Sequence, residues 1–167
     1  LPEADAAVLA RRAEIVAVLR RLVSADAVID DVARMRPYES DALTAYRQLP
    51  LVVVLPETTL QVAAVLRWCH ENGVRVVPRG AGTSLSGGAL PLGDAVLLVL
   101  SKFSRILEID IEDRLAVVQS GVANLAISAA AEPHGLYYAP DPSSQIACSI
   151  GGNVAENSGG VHCLKYG

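Results

Sequence analysis

The sequence predicts an α+β fold in which a small parallel β-α-β layer is joined to a second, more antiparallel subdomain. Apolar runs at residues 51–55 and 74–77 enclose a helical segment that begins after Thr58. Strand, helix and strand with short connections are typical of a parallel β-α-β unit. Two further apolar runs, at residues 106–110 and 115–119, flank a polar turn and predict an antiparallel hairpin.

Composition favours an ordered domain and argues against nucleic acid as a partner. The chain has 167 residues, of which 51% are hydrophobic and 19% charged, so a sizeable core is expected. The formal net charge is -4 and aromatic residues make up 4%, which leaves neither a basic patch nor a base-stacking surface. No apolar run is long enough to cross a bilayer, so we expect no transmembrane segment.

The cysteines and the two ends of the chain bear on compartment and completeness. Cys69, Cys148 and Cys163 are odd in number and match no disulfide or zinc spacing, which favours a reducing, cytoplasmic compartment. The chain does not begin with Met and ends without a closing helix or a polar tail. We therefore expect the chain to be a fragment of a longer protein that continues beyond both of its ends.

Several elements have clear local signals. Residues 3–23 predict one amphipathic helix, whose arginine-rich face we interpret as solvated surface, with a partner or membrane contact as the alternative. Residues 25–50 are irregular and predict an extended connection over the surface. Thr58 and Gln61 form a capping box for the next helix. Asn124 is predicted to cap an alanine-rich helix.

Two neutral, glycine-rich stretches, residues 79–88 and 149–160, are the main candidates for a functional site. Glycine lets the backbone approach a ligand closely, and successive N–H groups in such a turn form a concave anion site. The first stretch directly follows a predicted strand, and ligands of α/β sheets bind at the carboxyl ends of strands. Two such stretches in one small chain predict a large phosphate-bearing cofactor held mostly by main chain.

Other glycine-loop types fit less well. A Walker A loop requires a lysine, and residues 78–91 contain none. A Rossmann fingerprint requires a helix after the glycines, but Gly80, Gly82 and Gly87 have a longer last gap and Pro91 interrupts the following segment. A flexible glycine linker remains an alternative for the first stretch alone, and the presence of the second stretch argues against it.

Side chains in both stretches suggest specific roles. Arg79 is the one full charge in the first stretch and would neutralise part of a pyrophosphate, unless it is an ordinary surface arginine. Ser149 is expected to cap a short helix beginning near Ile150, whose N-terminus would be a second anion site. The amides of Asn153 and Asn157 suit a heterocycle edge or a ribose, and local turn capping is the alternative.

These motifs carry a resemblance to a known family. Residues 78–88, 140–144 and 149–160 together resemble FAD-linked oxidases of the vanillyl-alcohol oxidase type, which have the PCMH-type FAD-binding fold. Residues 38–41, 45–47 and 161–167 make the resemblance strongest to the FAD subunits of bacterial glycolate oxidases. The resemblance implies a PCMH-type FAD-binding domain over residues 46–167, truncated at its C-terminal side, after an N-terminal helix and extended connection over residues 1–45.

The resemblance also implies the cofactor and its contacts. It implies FAD, with both stretches around the pyrophosphate and part of the flavin. Some relatives attach FAD through a histidine at the position of Thr83, and the first stretch contains neither His nor Cys, so the FAD is expected to be non-covalent. The implied cofactor-binding residues are Pro78, Arg79, Gly80, Ala81, Gly82, Thr83, Ser84, Leu85, Gly87, Gly88, Pro140, Asp141, Ser144, Ser149, Gly151, Gly152, Asn153, Ala155, Asn157 and Gly160.

The implied activity is that of a flavin-dependent D-2-hydroxy-acid dehydrogenase or oxidase. Its substrate would be small, such as glycolate or D-lactate, with hydride transfer to flavin N5. Its partners would be a second flavin-type subunit and an iron–sulfur subunit, through which any membrane association would occur. Relatives carry their catalytic histidines and metal ligands beyond the region matched here. No catalytic or metal-binding residue is therefore assigned, and His162 with Cys163 is too few ligands to define a metal site.

Two alternatives remain open. The chain alone is expected to be inactive, and it would then be a flavin-binding or assembly module that binds FAD poorly or self-associates through exposed apolar surface and strand edges. A flavin reductase of cell-wall precursor synthesis is a further alternative within the same superfamily. The motifs around Tyr38 and His162 make it the weaker one.

Overall fold

The computed structural model describes residues 1–166, which form two compact units, one over Leu1–Lys102 and one that begins at Phe103. The first unit contains α1 (Ala6–Ala10), α2 (Arg12–Leu22), β1 (Val28–Ile29), α3 (Val32–Met35), β2 (Val52–Val54), α4 (Thr59–Glu71), β3 (Arg75–Arg79) and β4 (Ala95–Val99). The second unit contains β5 (Ile106–Asp110), β6 (Leu115–Val118), α5 (Asn124–Ala131), α6 (Ile150–Glu156) and α7 (Cys163–Tyr166). The mixture of helices with parallel and antiparallel strands confirms the α+β class.

The sheet of the first unit has the strand order β1-β2-β4-β3. β2 and β3 are parallel, as predicted, but each pairs with β4, which lies between them, and β1 pairs with β2 in the antiparallel sense. All five residues of β4 are buried. Alternate β4 side chains contribute to two apolar clusters, with Val96 and Leu98 in one and Leu97 and Val99 in the other, as the period of two along a strand requires.

The N-terminal segment differs from the single helix that its pattern predicts. α1 and α2 are separate helices that meet at Arg11, whose side chain donates to Asn72 O at 3.3 Å. Arg12 donates to Asp30 O at 2.6 Å and to Leu51 O at 3.1 Å. These two arginines are half-buried and donate to main-chain carbonyls, whereas Arg20 and Arg21 of the same face are exposed, as the interpretation of a solvated surface predicts.

Residues 25–50 are not only an extended connection, as the sequence predicts, because they include β1 and α3. The side chain of Asp31 caps α3 by accepting from Arg34 N, which gives this short helix its start. The Thr58 cap of α4 is confirmed, since Thr58 Oγ1 accepts from Gln61 N at 3.2 Å. In a capping box the Gln61 side chain would accept from the N–H of Thr58. Here Gln61 Oε1 accepts instead from the N–H of the residue before Thr58, Glu57, at 2.7 Å.

The second unit contains the predicted hairpin. β5 and β6 pair in the antiparallel sense with an irregularity between Ile106 and Glu108, and Arg114 turns the chain with φ 55°. α5 begins at Asn124, but its N-cap is Ala123 and no side chain caps it, so the predicted capping role of Asn124 is wrong. None of the helices within residues 1–166 has the length and apolarity needed to span a membrane.

Leu97 and Leu60 provide a matched test of this core. Leu97 is fully buried in the central strand, whereas Leu60 is 83% exposed at the start of α4. We expect Leu97→Ala to lower the free energy of unfolding by about 2–5 kcal/mol, because it removes transfer energy and leaves a cavity. Leu60→Ala should stay within about 0.5 kcal/mol. Urea unfolding followed by fluorescence of Trp68, the one tryptophan, measures both, and equal effects would contradict the central placement of β4.

Candidate cofactor site

The first glycine loop, residues 80–88, begins directly after β3 and has an unusual hydrogen-bonding pattern. Its internal bonds are few, with Ser86 N donating to Ser84 Oγ at 3.0 Å and Leu90 N donating to Gly87 O at 3.2 Å. Within the described chain, the backbone N–H groups of residues 80–85 donate to no protein acceptor. Consecutive free amides in a loop turned by Gly82, with φ 72°, and by Gly87, with φ 76°, fit an anion such as a phosphate.

Arg79 lies beneath this loop and is 9% exposed. Its Nη1 donates to Ser40 O at 2.8 Å and to Ala89 O at 3.3 Å, and its guanidinium lies 5.9 Å from the ring centroid of Tyr38. Burial lowers the pKa of Arg79, while the electrostatic interaction with the nearby Asp41 carboxylate acts to raise it. The alternative of an ordinary surface arginine is therefore wrong, because this cation is buried and bonded to two carbonyls.

Gly82 is fitted to the Arg79 side chain. A Cβ atom at Gly82 would collide with the guanidinium of Arg79, and φ 72° is itself unfavourable for residues with a side chain. The loop backbone thus lies directly against the cation. Sequence reasoning assigned Arg79 to the ligand, whereas its Nη1 supports the polypeptide around the loop.

A segment that sequence reasoning left outside the site, residues 38–43, holds the loop from the other side. Ala42 N donates to Gly82 O at 3.0 Å, and Leu43 Cδ2 lies 3.5 Å from where a Cβ of Gly87 would stand. Asp41 is buried, and its Oδ1 accepts from Leu43 N at 2.9 Å. The resemblance included residues 38–41, but only the fold places them against the glycine loop.

The second glycine stretch, residues 149–160, is organised differently. Ser149 is the N-cap of α6, as predicted, and its Oγ accepts from Gly152 N at 3.4 Å. However, Ile150 N donates to Val122 O and Gly151 N donates to Ser120 O, both at 2.8 Å. The expected anion site at this helix N-terminus is therefore wrong for this structure, because its first amides already have acceptors within the unit.

Buried amides hold the second stretch in place. Asn153 Nδ2 donates to Asn124 Oδ1 at 3.0 Å, and Asn124 Nδ2 donates to Pro140 O at 3.0 Å. Asn124 is fully buried, so this chain of bonds links the start of α5, the proline-rich loop and α6. Asn157 ends α6 with φ 54°, a backbone conformation that asparagine tolerates. Sequence reasoning therefore missed Asn124 as a structural centre, and Asn157 has the local capping role given as an alternative.

Asp141 and Gly160 form the other end of this stretch. The backbone of Asp141 bridges to Gly160, and Asp141 Oδ1 accepts from Val161 N at 3.0 Å and lies 3.1 Å from His162 Nδ1. Partial desolvation acts to raise the pKa of Asp141, but the interactions with His162 and with Val161 N bring it below its usual value. Gly160 has φ 72°, and a Cβ there would collide with the Asp141 backbone.

The structure places the predicted site residues in two sets. Residues 78–88 lie in the first unit, where Leu85 is 73% exposed, and the predicted residues from 140 to 160 lie in the second.

Burial raises the pKa of Cys69 to about 11, so its thiol is neutral at pH 7. Residues 1–166 contain no group of three or more His, Cys, Asp or Glu side chains arranged to hold a metal ion.

Comparison with known proteins identifies the family. The chain belongs to the FAD binding domain family, whose profile matches residues 50–167. It is 58% identical over its whole length to the glycolate oxidase subunit GlcD of Escherichia coli and spans 32% of that relative. It is 38% identical to the D-lactate dehydrogenase of Anaerostipes hadrus over 89% of this chain and 30% of the relative. The chain thus spans about a third of the length of these relatives.

Solved structures confirm the PCMH-type fold. An alkyldihydroxyacetonephosphate synthase superposes with a TM-score of 0.82 at 22% identity, over 93% of this chain and 31% of that protein. A p-cresol methylhydroxylase with substrate bound superposes with a TM-score of 0.70 at 23% identity, over 87% of this chain and 29% of that protein. At these identities the likeness concerns the fold alone.

Gly160 and Gly135 test the packing of the second stretch. Both have φ near 70°, at 72° and 70°, but a Cβ at Gly135 would meet nothing within 4 Å. We expect Gly135→Ala to cost about 1–2 kcal/mol from backbone strain alone. Gly160→Ala should cost a further 1–3 kcal/mol, roughly, from collision with Asp141. Thermal unfolding followed by circular dichroism compares the two, and indistinguishable variants would contradict the close approach at Gly160.

Proposed function

We propose that this chain is the FAD-binding part of a flavin-dependent D-2-hydroxy-acid dehydrogenase or oxidase. The observation that carries the proposal is the run of free backbone amides at residues 80–85, directly after β3, in a member of the FAD binding domain family. The names of the relatives support the substrate class, since one is a glycolate oxidase subunit and another a D-lactate dehydrogenase.

In this proposal, the first loop binds the pyrophosphate of FAD. The amides of residues 80–85 donate to the phosphate oxygens, the hydroxyls of Thr83 and Ser84 add donors, and Arg79 lends positive charge from beneath. Three further residues are proposed to contact FAD, namely Gly87 and Gly88 of the loop and Pro78, which precedes it. Because the main-chain amides supply the hydrogen bonds, the loop needs no charged side chains of its own to bind a charged ligand. This accounts for its small and neutral residues.

The second stretch is proposed to contact the cofactor through its backbone and small side chains. The residues proposed to do so are Pro140, Asp141 and Ser144 of the preceding proline-rich loop and, in the stretch itself, Ser149, Gly151, Gly152, Asn153, Ala155, Asn157 and Gly160. Because the first amides of α6 already have acceptors, we assign the phosphates to the first loop and other parts of the cofactor to the second. FAD, when bound, supplies the acceptor of the hydride removed from the hydroxy acid, at its N5 atom.

Substrate binding, proton removal and electron transfer onward are proposed to involve protein beyond this chain. We propose a second flavin-type subunit and an iron–sulfur subunit as partners, because the relative from Escherichia coli is named as a subunit of glycolate oxidase. A cytoplasmic location is proposed from the cysteine usage. The alternative, a flavin-binding or assembly module without turnover, predicts weak FAD binding or none, and no reduction by any 2-hydroxy acid.

Anaerobic titration of the intact protein that carries this chain tests the activity. We expect glycolate or D-lactate to bleach the visible absorbance of the bound flavin, because the hydroxy acid reduces it. Dithionite gives the fully reduced control. Reduction by dithionite but by none of a series of 2-hydroxy acids contradicts the substrate class and favours the non-catalytic module.

The attachment of FAD is tested by denaturation. Residues 78–88 contain no His or Cys that could bond to the flavin, so we expect acid precipitation to release all flavin into the supernatant. Absorbance of the supernatant and flavin fluorescence of the protein band on a denaturing gel measure the two fractions. Flavin fluorescence remaining on the denatured protein would show that the cofactor is covalent.

A further inference from the structure

Residues 38–43 lie outside the region matched by the family profile, residues 50–167, yet they contact the first glycine loop. Their contacts come in three kinds. Ser40 O accepts from Arg79, Ala42 N donates to Gly82 O, and the ring of Tyr38 lies beside the Arg79 guanidinium. The segment therefore bonds both to the loop and to the cation beneath it.

Asp41 is the charged residue of this segment and has an unusual environment. It is 6% exposed, its Oδ1 accepts from Leu43 N, and its Oδ2 has no hydrogen-bond partner within the described residues. A buried carboxylate without compensation is costly, so it needs an opposite charge nearby. Arg79 donates to the carbonyl of the preceding residue, Ser40, and is the cation that interacts electrostatically with Asp41, although the two side chains form no direct ion pair among the described residues.

We propose that Asp41 is a positioning residue for the cofactor, which acts through Arg79 to keep the first glycine loop in its binding conformation. The inference rests on the proposed function for the identity of the ligand. The Asp41 carboxylate attracts the guanidinium and keeps it in the space beneath Gly82. The amides of residues 80–85 are then presented together before any ligand arrives.

Pre-organisation of this kind affects affinity directly. The apparent dissociation constant rises in inverse proportion to the fraction of molecules in the competent conformation. Loss of the Asp41 charge leaves Arg79 buried without its counter-charge, which favours other positions of the guanidinium and of the loop. Asp41→Asn is the informative variant, because Asn keeps the size and an oxygen that accepts from Leu43 N while it removes the charge.

Asp94 offers a matched control in the same unit. It is 1% exposed, its Oδ1 is also without a partner among the described residues, and its Oδ2 lies 3.2 Å from Arg75 Nη2. In the parallel pair of β3 and β4, Arg75 is opposite Ala95 and Arg79 is opposite Val99. Asp94 directly precedes β4, so it lies at the opposite end of the β3–β4 pair from the start of the glycine loop.

The experiment compares Asp41→Asn with Asp94→Asn in the intact protein. Hydrogen exchange of the Ala42 and Leu90 amides, which bond to Gly82 O and Gly87 O, reports loop order without FAD. FAD titration by fluorescence quenching reports affinity. We expect D41N to speed exchange at both amides and to weaken FAD binding by about tenfold, whereas D94N lowers thermal stability and leaves exchange and affinity unchanged.

Each outcome bears on the inference. If D41N and D94N have equal exchange at Ala42 and equal FAD affinity, a positioning role for Asp41 is overturned. If the wild-type protein binds no FAD, the proposed function fails. Hydrogen exchange at Ala42 and Leu90, measured without FAD, still decides whether Asp41 orders the loop. Should D41N not fold, Asp41→Ser, which keeps an acceptor for Leu43 N without the charge, is measured in its place, with the same expected and contradicting results.

Discussion

The buried guanidinium of Arg79 is the interaction on which the first glycine loop depends. A loop rich in glycine loses much conformational entropy when it is ordered, so something other than its own side chains has to fix it. Arg79 does this by donating to Ser40 O and Ala89 O, carbonyls on either side of the loop in the chain. Arg79 thus fixes the loop without using its main chain, and within the described residues the amides of residues 80–85 donate to no acceptor, so they are available to a ligand.

The two glycine stretches are held in a fixed conformation in different ways. In the first, a charged side chain holds the loop and the main-chain donors stay free. In the second, Ser120 O and Val122 O take the first amides of α6, and the buried pair of Asn124 and Asn153 ties the segments together. Two stretches of similar composition therefore differ in their backbone N–H groups. Those of the first loop are free to bind an anion, whereas the first amides of α6 are bonded to carbonyls of the same unit.

The sequence predicts the elements here better than it predicts their partners. The β2 strand, the Thr58 cap and the hairpin follow from short-range patterns of apolar and capping residues, and they are found. The position of β4 between β2 and β3 depends on pairing between distant residues, which no local pattern encodes. The hydrogen bonds of Arg79 and Asn124 could not be predicted for the same reason, because their partners Ser40 and Pro140 lie 39 and 16 residues away.

The first unit also explains why residues before position 50 matter to the first glycine loop, which lies within the region that the family profile matches. β1 extends the sheet by pairing with β2, and Arg12 satisfies carbonyls at Asp30 and Leu51. These contacts anchor the segment that leads to Ser40 and Ala42, which in turn bond to Arg79 and Gly82. The identity of 58% to the glycolate oxidase subunit of Escherichia coli extends over the whole chain, so it includes these N-terminal elements as well as the glycine loop.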